Sequence, residues 1–416
     1  MIPVAPGTDR DVRVLAHGVG SAADLPLPLD LVLQAGAATV VLSFLIVAIW
    51  WRRPRLTEAS GDLASDPDDQ RERGSGRRLA WLRGLVLLLS VYLLVNAFTG
   101  PHGPLNPAAH ALFVWLWVGL VPVSVVFGPV WRSVNPLRTV FRILRLPAGG
   151  LRPLPPGTVG GSWPAAVFLL VFVWFELIAP DHGDPRAVGA FLAGYAAAQL
   201  FLATLRGQQW FARGDCFEVY STLAGRLSPF RRLAPLRRRK PLSGLGLPLH
   251  PGFGPAAFLA VWWGSTVFDS ATASPWWAGF VQRAGHPILL GTITLVLICA
   301  VVFVAGRRVV ASLIPIAVGY TLAHYLSLLL VEGPRGVLLL AGSDARWDVV
   351  PLPEVVAGAQ IVLILAGHAL GVIVAHDRAL ADAPDRPPLA VLADEMPLAL
   401  FMIGCTWAGL FLLFAR

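Results

Sequence analysis

Apolar runs of about 20 residues recur from Leu31 to the C-terminal end of this chain, and that restricts its fold more than any other feature. Each run is long enough to cross a hydrocarbon core of ~30 Å at ~1.5 Å per helical residue. The segment Leu85–Val95 (LVLLLSVYLLV) is continuously apolar, where a β-barrel strand would alternate with polar residues. Charged residues make up 14% of the chain and hydrophobic ones 56%. A soluble domain covers itself with ~25% charged residues, so a soluble enzyme, a disulfide scaffold and a disordered chain are all excluded. The sequence predicts an all-α protein, a polytopic transmembrane helix bundle.

Ten spans are read: 31–51, 79–98, 108–127, 163–179, 187–205, 254–274, 286–305, 309–331, 354–374 and 392–414. Alternate connections, with Arg83 at the start of the second span, hold 26 of the 33 Lys and Arg residues. Cytoplasmic loops carry such an excess, so residues 1–30 and the C-terminus are placed outside the cytoplasm of a bacterial plasma membrane. The first 30 residues lack the pattern of a signal peptide. Val14-Leu15-Ala16-His17 looks like the end of a cleavage site without its apolar stretch, which an upstream start codon would explain.

Three cytoplasmic stretches differ from simple loops. Residues 52–78 are polar and mixed in charge, the composition of a disordered linker. In 130–145, Val130, Val134, Leu137, Phe141 and Leu144 recur at helical spacing with Arg132, Arg138, Arg142 and Arg145 on other faces, which predicts a helix lying at the interface. A second interfacial helix is expected near 208–228, inside a basic loop that spans 206–253. That loop ends in Arg231, Arg232, Arg237, Arg238, Arg239 and Lys240, a surface anchor for anionic lipids. The net charge of +8 thus has a membrane cause, and no nucleic-acid partner is expected.

No phosphate loop, HExxH helix, GxSxG elbow or CxxC pair occurs, so neither a nucleotide nor a haem is expected. What remains is a set of ionisable residues within the spans, which are costly there and mark sites by default. Depths from the outer helix ends, at ~1.5 Å per residue, are about 8 Å for Asp269, about 10 Å for His324 and about 9 Å for Gln360. Glu176 lies at about 5 Å and His110 at about 3 Å. Asp269 has Ser265 and Thr272 on its helix face, and His324 has Tyr320 and Ser327 on its own. A carboxylate and an imidazole from facing helices suit a divalent metal such as zinc with its water, Glu176, His110 and His368 being the further candidate ligands. They equally suit hydrogen bonding between helices. His368, between Gly367 and Gly371, is expected where two helices pack closely, and His376-Asp377 reads as a cytoplasmic end cap.

The stretches AHGVGSAADLPLPLDL, SVNPLRTVFRIL, GDCFEVYSTLAGRLSPF, STVFDSATASPWW, YTLAHYLSLLLVEG and GHALGVIVAHDRAL together resemble a family of bacterial multi-pass membrane proteins commonly labelled fenitrothion hydrolase. They run from residue 16 to residue 380 and include Asp269, His324 and His368. The resemblance implies a membrane-bound hydrolase of organophosphate triesters. The alternative reading is a transporter or a metal- or proton-handling permease that uses the same Asp, His and Glu residues. The two differ most at His368, which a conduction path needs and an outer site does not.

Overall fold

The computed structural model describes residues 28–57, 77–153, 161–232, 237–249, 252–343, 352–383, 394 and 396–414. In chain order the principal helices are α1 (Leu29–Trp50), α2 (Arg77–Thr99), α3 (Pro107–Phe127), α4 (Val130–Val134), α5 (Pro136–Ile143), α6 (Trp163–Leu177) and α7 (Pro185–Arg206). They continue as α8 (Cys216–Ala224), α9 (Gly254–Thr272), α10 (Pro275–Ala284), α11 (Pro287–Gly306), α12 (Val310–His324), α13 (Leu326–Leu340), α14 (Pro353–Asp382) and α15 (Met396–Phe414). A short antiparallel ribbon pairs Phe230–Arg232 with Arg237–Arg238. The protein is an all-α bundle.

Among the described residues, seven helices are long and apolar enough to cross a membrane: α1, α2, α3, α7, α11, α14 and α15. The bent pair α12–α13 adds an eighth if its two halves form one span. Large apolar side chains such as Leu85, Leu88, Val301, Val304, Val362 and Leu400 face outward on these helices, a surface that water does not tolerate at this extent but a bilayer covers. This is a multi-pass membrane protein. Ten spans were expected, and two of them differ in kind. α6 has 15 residues, and α9 is diluted by Ser265, Thr266, Asp269, Ser270 and Thr272.

That dilution marks the centre of the molecule. In α9, 16 of 19 residues are buried, and in α12, 13 of 15. α9 packs against α6, α11, α12 and α15, while α12 lies along α14, which in turn contacts α1 and α15. The α12–α14 crossing is close because three glycines line it. A Cβ on Gly319 would stand 2.5 Å from the Leu363 carbonyl, one on Gly367 2.7 Å from that of Pro315, and one on Gly371 3.0 Å from that of Ser312. Small residues four apart are what let membrane helices approach to backbone contact.

The eighth predicted span, 309–331, is not one helix. α12 stops at His324, Tyr325 leaves the helical conformation (φ −99°, ψ 11°), and α13 departs at 63°. Within the described residues α13 packs mainly on α3, whose stretch His110–Gly119 is π-helical over ten residues. Wide turns of this kind are rare and concentrate at functional sites.

The stretches expected in the cytoplasm are more deeply packed than their polarity predicts. In α8, expected at the interface, eight of nine residues are buried, against α3, α4 and α6. Glu218 and Ser221, and the capping Asp215, have partners inside the protein. Arg138 clamps Glu218 through two bonds of 2.7 Å, Ser221 meets Ser124 at 2.8 Å, and Asn135 donates to Asp215 at 2.7 Å. Asn135 caps α5 and Asp215 caps α8, so each helix start is fixed by the other. The basic run is not one uniform anchor either. Arg238 and Lys240 are exposed, but Arg239 turns inward to the carbonyls of Gly225 and Ser228, and burial lowers its pKa to about 10. Of the expected linker, residues 58–76 lie outside the described residues. Its start, Leu56 and Thr57, is pinned by four-way bonding to Asp377, which takes N–H or O–H donors from Trp51, Leu56 and Thr57. His376 and Asp377 thus cap the turn that follows α1.

Candidate functional site

α9 and α12 bring Asp269 and His324 together at the heart of the bundle. His324 Nε2 lies 2.9 Å from Asp269 Oδ2, and both side chains are buried. The Tyr325 hydroxyl donates to the same oxygen at 3.1 Å. Consecutive residues of a continuous helix point about 100° apart and cannot share one partner. The break after His324 is what lets residues 324 and 325 converge on one carboxylate. Breaking a helix frees carbonyls, and Gln360 of α14 donates to that of Ala323 at 2.9 Å.

The second imidazole nitrogen is also engaged. His324 Nδ1 lies 3.1 Å from the Ser270 hydroxyl, which lies 3.0 Å from that of Tyr320. Tyr320, Ser270, His324, Asp269 and Tyr325 therefore form one buried chain of hydrogen bonds. Its directions follow from the chemistry of each group. An ionised carboxylate only accepts, so in the neutral ring Nε2 carries the proton and Nδ1 is bare. Ser270 then donates to Nδ1 and accepts from Tyr320.

Further buried polar groups lie near this chain. Glu176 of α6 is close enough to Asp269 for the two charges to interact, and also neighbours Tyr220 of α8 and Tyr325. Glu176 Oε2, the Tyr220 hydroxyl and the Trp117 indole N–H are buried without a hydrogen-bond partner. Trp117 stacks on Tyr220 with centroids 4.8 Å apart, and Tyr220 packs on Trp262 at 4.3 Å. Buried polar groups of this kind are satisfied by water or by a polar ligand.

Of the other expected residues, His110 bonds Glu332 of α13 at 2.9 Å, with Arg335 3.4 Å from the same carboxylate. His368 bonds the Ile364 carbonyl of its own helix through Nδ1, and its Nε2 is buried without a partner. Among the described residues, no three His, Cys, Asp or Glu side chains are placed to hold a metal ion. Within the pair, both nitrogens of His324 are hydrogen-bonded.

The sequence stripes around the pair are rearranged. Ser265 and Thr272 bond the backbone of their own helix, and the working partner is Ser270, adjacent to Asp269 in the chain. Tyr325, Tyr220 and Trp117 carried no sequence signal beyond being aromatic in apolar surroundings. Comparison with family models, with curated proteins and with solved structures finds no match for this chain.

Proposed function

We propose that this protein is a membrane-embedded hydrolase of apolar esters, organophosphate triesters among them, that works at Asp269 and His324. One observation carries the reading: an imidazole bonded to a buried carboxylate through Nε2, with Nδ1 facing a hydroxyl. That arrangement is a general base held in one tautomer. The buried polar groups of Glu176, Tyr220 and Trp117 support it, since they have hydrogen-bonding capacity left for water. Apolar esters partition into lipid, which suits a site inside the bundle.

The orientation belongs to the same proposal: ten spans in a bacterial plasma membrane, both termini outside, and the exposed Arg238 and Lys240 against anionic lipid. Reporter fusions after Pro104 and after Arg239 are expected on opposite sides, and finding both on one side would discard the orientation.

The activity is tested with full-length protein in lipid nanodiscs, using 4-nitrophenyl carboxylates and diethyl 4-nitrophenyl phosphate. Slow hydrolysis is expected, lost in Asp269→Asn and His324→Ala variants that keep their thermal unfolding midpoint. No hydrolysis of any ester by the wild type would overturn the reading. The second reading, a proton- or ion-conducting permease, is favoured by the unpartnered Nε2 of His368. It expects proton flux in liposomes that His368→Ala abolishes.

A further inference from the structure

The geometry points to Ser270 as the nucleophile of this site, so that hydrolysis runs through an ester covalently bound to Ser270. This rests on the hydrolase reading above and deepens it.

Three groups have to be ordered for such a step: a hydroxyl, a base that takes its proton, and an acid residue that orients the base. Here they are Ser270, His324 and Asp269, at 3.1 Å and 2.9 Å. The ring nitrogens are exchanged relative to the usual serine triad, with Nδ1 facing the hydroxyl and Nε2 the carboxylate, which leaves the roles unchanged. Ser270 and Asp269 are neighbours on α9, and the single imidazole of α12 bridges them. Other buried serines have no such partner in their hydrogen bonds. Ser265 and Ser312 donate to the backbone of their own helices, and Ser124 and Ser221 meet each other. Tyr320 adds a donor to the Ser270 oxygen at 3.0 Å, placed to steady the negative charge that grows there as the proton leaves.

The steps balance without a co-reactant other than water. Ser270 Oγ attacks the phosphorus or carbonyl carbon of the ester as its proton passes to His324 Nδ1. The bond to the aryl oxygen breaks, and the departing phenolate takes that proton. Water then attacks the same atom and gives a proton to Nδ1. The bond to Oγ breaks, and Oγ recovers the proton. A hydroxyl enclosed in an apolar bundle selects substrates that enter such a bundle, so the ligand class is an uncharged aryl ester of a phosphoric or carboxylic acid.

Rapid mixing of nanodisc-embedded wild type with diethyl 4-nitrophenyl phosphate is expected to release a burst of 4-nitrophenolate equal to the protein present, followed by slow turnover. Peptide mass spectrometry is expected to place a diethylphosphoryl group on Ser270. Ser270→Ala removes the burst and the adduct, and Tyr320→Phe slows the burst about tenfold while the adduct stays on Ser270. Hydrolysis that persists in Ser270→Ala would make water the direct nucleophile, overturning this inference while the hydrolase reading stands. An adduct on any other residue would overturn it as well. If neither burst nor adduct forms and no ester is turned over, the hydrolase reading itself falls. Should Ser270→Ala not fold, the adduct position in the wild type decides.

Discussion

The imidazole of His324 and the carboxylate of Asp269 meet at 2.9 Å between two deeply buried helices of the bundle, α9 and α12. A charge removed from water this completely persists only when its hydrogen-bonding capacity is used. His324 and Tyr325 supply two donors to the same oxygen, and the helix break at Tyr325 is the structural condition for both. Tyr325→Phe removes one donor without changing the shape of the ring. A hydrogen bond to a charged group is worth ~1.5–3 kcal/mol, and a loss of that order is expected in chemical denaturation of the purified protein. An unchanged stability would mean that Tyr325 does not hold the carboxylate.

His110 and Glu332 join the π-helical segment of α3 to α13. Both are buried, and removing His110 leaves Glu332 only the more distant Arg335 at 3.4 Å, a loss of up to ~3–5 kcal/mol. His110→Ala is therefore expected to lower the unfolding midpoint strongly. Replacing both residues by leucine removes the stranded charge and is expected to recover most of the loss. A double variant as unstable as the single one would argue against an electrostatic origin.

Asp215 gives the expected pH dependence. Burial, and then the nearby Glu218 carboxylate, raise its pKa from 3.8 to about 6, although Tyr195 and Asn135 donate to it. A carboxyl whose pKa is raised on folding binds more protons in the native state between those two values. Its stabilising contribution is complete below about pH 4 and is lost as pH rises through 6. At ~1.4 kcal/mol per pH unit the loss is about 3 kcal/mol. The difference in stability between wild type and Asp215→Asn is expected to shift toward the variant over that window and then level off. A difference independent of pH between 4 and 7 would refute it.

The α12–α14 crossing can be tested on one helix. Gly367→Ala puts a methyl group 2.7 Å from the Pro315 carbonyl, whereas Gly358→Ala meets nothing within 4 Å. Forcing backbones apart costs ~1–3 kcal/mol, while an open helical glycine gains up to ~1 kcal/mol on becoming alanine. The two variants are expected to move thermal stability in opposite directions. Equal effects would show that the crossing is looser than these distances.

The helical class and the membrane setting were legible from residue order alone, because an apolar run of this length has few ways to satisfy its backbone other than as a helix in lipid. Sequence also singled out Asp269 and His324, since an ionisable group within such a run is conspicuous whatever surrounds it. The closeness of the α12–α14 packing at Gly367 and Gly371 followed from the absence of side chains there.

Only the tertiary structure decided the partners. Residues 269 and 324 are separated by a whole intervening helical span, and depth along a helix fixes one coordinate out of three. Rotation about each axis is set by packing, so Ser265 and Thr272 satisfy their own backbone while Ser270 meets the ring. The break at Tyr325 has no proline or glycine at its site; it coincides with two adjacent side chains reaching one buried carboxylate, a long-range contact that local propensity does not encode. The same holds for α8, whose Glu218 and Ser221 are polar in sequence yet buried, because Arg138 and Ser124 approach them from helices distant along the chain.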